Sequence, residues 1–122
     1  MEQANTVVIG ASDNPERTSY LAVQRLLAAG HRVFPVNPKL HDISGQKVFA
    51  SISDIAEPVD TVSVYLRAEK SSVMADEIIS ASPRRIIFNP GAENPELEEA
   101  ARAKGIITEN ACTLVLLSIG RF

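Results

Sequence analysis

Val7-Val8-Ile9-Gly10-Ala11-Ser12-Asp13-Asn14-Pro15 reads as a buried strand that stops abruptly in a loop of small residues. A continuous β-branched run is what a strand covered on both faces looks like, and a Gly-Ala-Ser terminus lets a ligand come close to the backbone. An amphipathic segment over about 19–29 comes next, and its N-terminal amides would point at the same place. Strand, glycine turn and helix together suit a phosphate in that loop.

Outward from this stretch, short apolar runs recur at 6–10, 32–36, 61–66, 85–88 and 105–108, and each reads as a strand. Helical spacing separates most of them: Tyr20, Val23 and Leu27; Met74, Ile78 and Ala81; Leu97, Ala100 and Ala101. The alternation predicts an α/β chain, a Rossmann-like three-layer fold with a five-stranded, mainly parallel sheet. Gly30 and Gly105 stand where helices end, and Asn94-Pro95-Glu96 is a helix start with a capping side chain, a proline in the first turn and acidic residues near the positive end of the dipole. The region 40–58 is less regular, with a short strand expected near 47–49 and a short helix over 53–57.

At 122 residues the length suits one domain, 1–122. No segment approaches the ~20 uninterrupted apolar residues of a membrane span, and the stretch Met1-Glu2-Gln3-Ala4-Asn5 has neither a basic nor an apolar signal region, so a cytoplasmic location is the default expectation. One cysteine, Cys112, cannot form an internal disulfide, and His31 and His41 offer no metal-ligand spacing. With 12 Lys and Arg against 15 Asp and Glu the chain is mildly acidic and lacks the basic stripe of a nucleic-acid binder.

In an open parallel sheet ligands bind beyond the carboxyl ends of the strands, so the residues just after each strand are the candidates for a site. Gly10-Ala11-Ser12 with Arg17-Thr18-Ser19 comes after the first strand, Asn37-Pro38-Lys39 after the second, Arg67 after the third and Asn89-Pro90-Gly91 after the fourth. Arg17, Lys39 and Arg67 thus reach one edge, which favours a polyanionic small molecule, because charge-assisted bonds to phosphate are the strong ones. Arg32, Arg84 and Arg85 precede their strands and read as solvated charges on the opposite edge, with His31 on the surface beside them. The dinucleotide fingerprint needs G-x-G-x-x-G and an acidic residue ending the second strand; neither is present, although Lys39 leaves a phosphorylated ribose open.

Val-Ile-Gly-Ala-Ser-x-x-Pro-x-Arg-x-Ser-Tyr, then Val-Phe-Pro-Val-Asn-Pro-Lys, Gly45 and Val59-Asp60-Thr61-Val62, resembles the CoA-binding domain proteins, small stand-alone relatives of the N-terminal domain of the succinyl-CoA synthetase α subunit. The resemblance covers nearly the whole chain. It implies coenzyme A or an acyl-CoA as the ligand, with Gly10, Ala11 and Ser12 along the diphosphate, Arg17 and Ser19 nearby, and Asn37, Pro38 and Lys39 at the adenosine and its 3′-phosphate. Tyr65, Leu66 and Arg67, and Asn89 to Gly91, would flank the nucleotide or the pantetheine arm. The end of the chain departs from the commoner Asp-Arg-Cys-x-x-x-Glu pattern: Glu109-Asn110-Ala111-Cys112-Thr113-Leu114 carries no arginine beside the cysteine. The phosphorylated histidine of the synthetases lies in a second domain absent from this sequence, so ligase chemistry does not carry over.

The leading expectation is therefore non-catalytic binding of coenzyme A or acyl-CoA at the carboxyl edge of the sheet. Two alternatives compete with it: an NADP-linked oxidoreductase or an acyl-transfer protein using Cys112, and a protein-interaction module. The apolar run Leu114-Val115-Leu116-Leu117 is too short for a membrane and reads as a final helix packed on the sheet, with some contribution to a homodimer contact.

Overall fold

The structure, a computed structural model, describes residues 4–122; residues 1–3, part of the stretch read above for a targeting signal, lie outside the described residues. Five strands, β1 (Asn5–Ile9), β2 (Arg32–Val36), β5 (Thr61–Val64), β6 (Arg85–Phe88) and β7 (Ile107–Asn110), form one sheet in the order β2-β1-β5-β6-β7. Every pairing in it is parallel, which bears out the five-stranded, mainly parallel sheet expected from the sequence. A small antiparallel pair, β3 (Asp42–Ile43) with β4 (Gln46–Lys47), lies outside it.

The period-two alternation of a strand sorts the apolar residues onto two faces. Val7, Ile9, Val62, Val64, Ile86 and Phe88 pack on one face against Ile78 of α3 (Ala75–Ser80) and Leu97 and Ala101 of α4 (Pro95–Ala103). Val8 and Val33 pack on the other against Val23 and Leu26 of α1 (Thr18–Ala28) and Leu117 of α5 (Thr113–Ser118). Each such side chain contributes about 1.5–3 kcal/mol when fully buried, so the two cores hold the three layers together.

Several local expectations shift. The last strand begins at Ile107, two residues later than the apolar run suggests, because Gly105 adopts φ +81° and closes α4: its amide donates to Arg102 O and that of Ile106 to Ala101 O, both at about 3.0–3.1 Å. The third strand ends at Val64 rather than at 66. The helix expected over 74–81 is a broken segment, α2 (Ala68–Ser71), a 3₁₀ turn (Ser72–Met74) and α3. In place of a helix over 53–57 there is a 3₁₀ turn at Ile52–Asp54, and in place of a strand at 47–49 there are β4 and a single bridge from Phe49 to Val36.

The amino edge of the sheet corrects two readings of charge. Arg32 and Arg84 are exposed and pair with Glu57 at 3.2 Å and with Asp60 at 2.9 Å, but Arg85 is only 6% exposed, lies against Thr61 and Glu109 and packs over the Phe122 ring. His31 is 4% exposed rather than on the surface. Its Nδ1 accepts the amide of Ala4 at 2.9 Å and its ring packs on Phe122 at 5.0 Å. Burial, and then the Arg85 charge, lower its pKa below 6.5. The His31 amide closes α1 by donating to Leu26 O, and Phe122, from the far end of the sequence, covers its ring.

Candidate functional site at the strand-order switch

Strand order reverses at β1, whose neighbours are β2 on one side and β5 on the other, so the chain leaves the ends of β1 and β5 in opposite directions and opens a crevice. A cavity of about 490 Å³ occupies that position. Gly10, Asn37, Pro38 and Lys39 line it, together with Leu66; the expected loops after the first two strands meet there. Ile9 and Val36 form its floor, and the other walls come from Ala50 and Ser51 and from Lys70, Met74 and Glu77.

Gly10 lets these walls approach. It holds φ +82°, and a β-carbon there would stand 3.0 Å from Leu66 Cδ2 and 3.2 Å from the Tyr65 carbonyl carbon. Backbone amides of Gly10 and Ala11 both donate to Val36 O, at 3.2 and 3.3 Å, which ties the loop to the end of β2. Asn37 completes the tie: its Nδ2 donates to Ala11 O at 2.8 Å, and its Oδ1 accepts the Lys39 amide at 2.8 Å. Asn37 thereby sets the path of the Lys39 backbone relative to the glycine turn.

The other expected residues are distributed around this centre. Ala11 is buried in the α1 face, and Ser12 accepts the amide of Asn14 within the loop. Arg17 is the exposed residue before α1; no side chain caps that helix, whose Tyr20 and Leu21 amides both donate to Arg17 O, and Ser19 is buried in its first turn. Arg67 is exposed and Gly91 lies in an exposed loop with φ +90°; neither lines the cavity. Of the three cations that topology brings to the carboxyl edge, Lys39 alone borders the cavity.

Asn89 is only 1% exposed and its side chain is engaged within the fold: Nδ2 donates to Ser63 Oγ and Val64 O, both at 2.9 Å, and Oδ1 accepts from the Thr113 amide at 2.8 Å. Tyr65 places its hydroxyl, buried and without a hydrogen-bond partner, near Ser63, Thr113 and Cys112, and burial pushes its pKa up to about 12. Cys112 is half-buried just before α5, at the carboxyl edge, whereas His31 is at the amino edge and the His41 side chain is exposed.

Sequence reasoning missed Lys70, Glu77 and Ser51. Lys70, Met74 and Glu77 are spaced four and three residues apart, which sets them along one side of the broken segment over 68–80. That spacing was visible, but it reads as an ordinary amphipathic helix until the fold shows what the stripe faces. Ser51 Oγ donates to Glu77 Oε1 at 3.1 Å and accepts the amide of Ser53, so the serine hydrogen is directed at the carboxylate.

A family model described as a CoA binding domain matches residues 4–118. The Bacillus subtilis protein YneT is 32% identical over 98 residues, covering 80% of this chain and 73% of YneT. A crystal structure of a protein described as uncharacterized is 38% identical, with a TM-score of 0.95 over 100% of both chains. Acetyl-coenzyme A synthetase 1 of Ca. Korarchaeum cryptofilum superposes with a TM-score of 0.74 at 24% identity, over 88% of this chain and 25% of the synthetase, a likeness of fold alone. Among the described residues no helix is long and apolar enough to cross a membrane.

Proposed function

Because the chain belongs to the family of CoA binding domains, we propose that it binds coenzyme A or an acyl-CoA in the crevice between β1 and β5, as one domain over 1–122, and carries out no reaction on it. Family membership supports coenzyme A binding in general. The observation that carries the location is the cavity of about 490 Å³ at the switch point, bordered by Gly10, Lys39 and Lys70. Its volume lies in the range of small-molecule sites, and its mixture of apolar walls with a few convergent polar groups is what such sites use for grip and orientation.

In this reading Lys39 meets a phosphate at the nucleoside end, and Gly10, Ala11 and Ser12, with Arg17 and Ser19 beyond them, run along the diphosphate. Tyr65, Arg67, Asn89 and Gly91 flank the pantetheine path, Asn89 by holding the loop rather than through its own side chain. The absence of a reaction is supported by Tyr65, which lies near Cys112: burial pushes its pKa up to about 12, which makes its hydroxyl a poor group to activate a nucleophile.

Thermal unfolding with added ligand tests the proposal, since only binding to the native state raises the melting temperature. Coenzyme A should raise it more than NAD or NADP at equal concentration, and Lys39→Ala should weaken coenzyme A more than dephospho-coenzyme A. No shift with any of the three overturns binding; equal losses for the two CoA forms remove Lys39 from the 3′-phosphate.

A further inference from the structure

The cavity is electrically polar from end to end. Lys70 comes after β5 and stands near the carboxyl edge of the sheet, while Glu77, two turns on, lies where the segment over 68–80 runs back towards the start of β6. Among the described residues, Glu77 is the one carboxylate lining a cavity that also carries two lysines. A phosphate beside it would be repelled, whereas a neutral hydrogen-bond donor would be held by a charge-assisted bond.

Resting on the coenzyme A reading, we propose that Glu77, aligned by Ser51, receives the exocyclic amine of the purine, so that the base enters first and the phosphates remain at Lys39 and Lys70. Leu66, Met74 and Pro38 supply apolar surface for a flat ring. Ser51 is a positioning residue: its Oγ accepts the Ser53 amide and spends its only hydrogen on Glu77 Oε1, leaving Oε2 for the ligand. Glu77 is half-buried, and an acceptor that a bound ligand covers discriminates against a ligand lacking the matching donor, because the acceptor is then left unpaired.

Calorimetry with three ligands tests this: coenzyme A, its analogue with unsubstituted purine in place of adenine, and its analogue with guanine. The parent should bind coenzyme A about tenfold more tightly than the unsubstituted-purine analogue. That gap should close to within about twofold in Glu77→Ala and narrow in Ser51→Ala, with the melting temperatures of the unliganded variants confirming folded protein. A parent that binds the first two ligands equally overturns the role of Glu77 while leaving coenzyme A binding intact, as does a gap that persists in Glu77→Ala. Tighter binding of the guanine form also overturns it, because a carboxylate can instead accept from the guanine N1 and N2 hydrogens. A parent that binds none of the three overturns this inference and the coenzyme A reading together.

Discussion

The backbone amide of Thr113 donates to the side-chain carbonyl of Asn89 at 2.8 Å, and the Thr113 hydroxyl meets Ser63 at 2.8 Å, so one buried amide side chain joins β5, the end of β6 and the start of α5. This is how α5 is anchored over a part of the sheet whose inward residues, Thr61 and Ser63, are polar. Asn89→Ala strands the Thr113 amide away from water, at a cost of about 1–3 kcal/mol, whereas Val64 O keeps the residue 89 backbone amide and Ser63 keeps Thr113. Urea unfolding should register at least about 1 kcal/mol of lost stability. Unchanged stability with coenzyme A binding abolished would instead make Asn89 a ligand contact.

Gly10→Ala should harm fold and site at once. The left-handed backbone at φ +82° costs an L-residue roughly 1–2 kcal/mol, and the new methyl group meets Leu66, which itself lines the cavity. Lower thermal stability should therefore accompany weaker coenzyme A binding. Retention of full affinity by the folded variant would place the ligand away from the glycine turn.

The sheet was legible because its strands, buried on both faces, announce themselves as β-branched runs, and because helix ends at Asn94 and Gly105 carry their own local signals. The lining of the candidate cavity was legible only where chain direction decides it, at Gly10, Asn37, Pro38 and Lys39. Asn89 lay beyond reach, since its partners Ser63 and Thr113 are 26 and 24 residues away and nothing local foretells such pairing. His31 and Arg85 misled for the same reason. A position before a strand reads as exposed, and only the fold lays Phe122 over both.

The buried imidazole has a consequence for pH. Since the folded pKa of His31 lies below 6.5, the unfolded chain binds more protons between the two values, and stability rises with pH across that window. The contribution is complete above pH 6.5 and is lost as pH falls through the folded pKa. Arg85, the charge that acts on it most strongly, opposes protonation; Asp60 favours it less strongly; and Asp60's own carboxyl, held below 3.8 chiefly by its bond to Arg84, titrates in a separate and more acidic range. Melting temperature should fall between pH 7.5 and 5.5, and His31→Asn, which keeps an acceptor for the Ala4 amide, should flatten that dependence. An equally steep slope in the variant would assign the effect to another group.

Lys70 and Arg67 separate the site as topology alone suggests it from the site as the walls define it. Both come after β5, but Arg67 precedes α2 with its side chain exposed and off the cavity, whereas Lys70 lines the cavity one helical turn later. A rim cation held near a phosphate is worth up to about 1 kcal/mol, so Lys70→Ala should weaken coenzyme A about fivefold at low salt. Arg67→Ala should change affinity by less than about twofold at about 0.1 M salt, because an exposed charge beside the uncharged pantetheine arm is screened from the phosphates over a Debye length of about 10 Å. Raising the ionic strength should shrink the Lys70 effect, since a solvated lysine acts through a screened field. A larger loss from Arg67→Ala than from Lys70→Ala would move the phosphates out of the cavity and onto the outer rim, towards the start of α1.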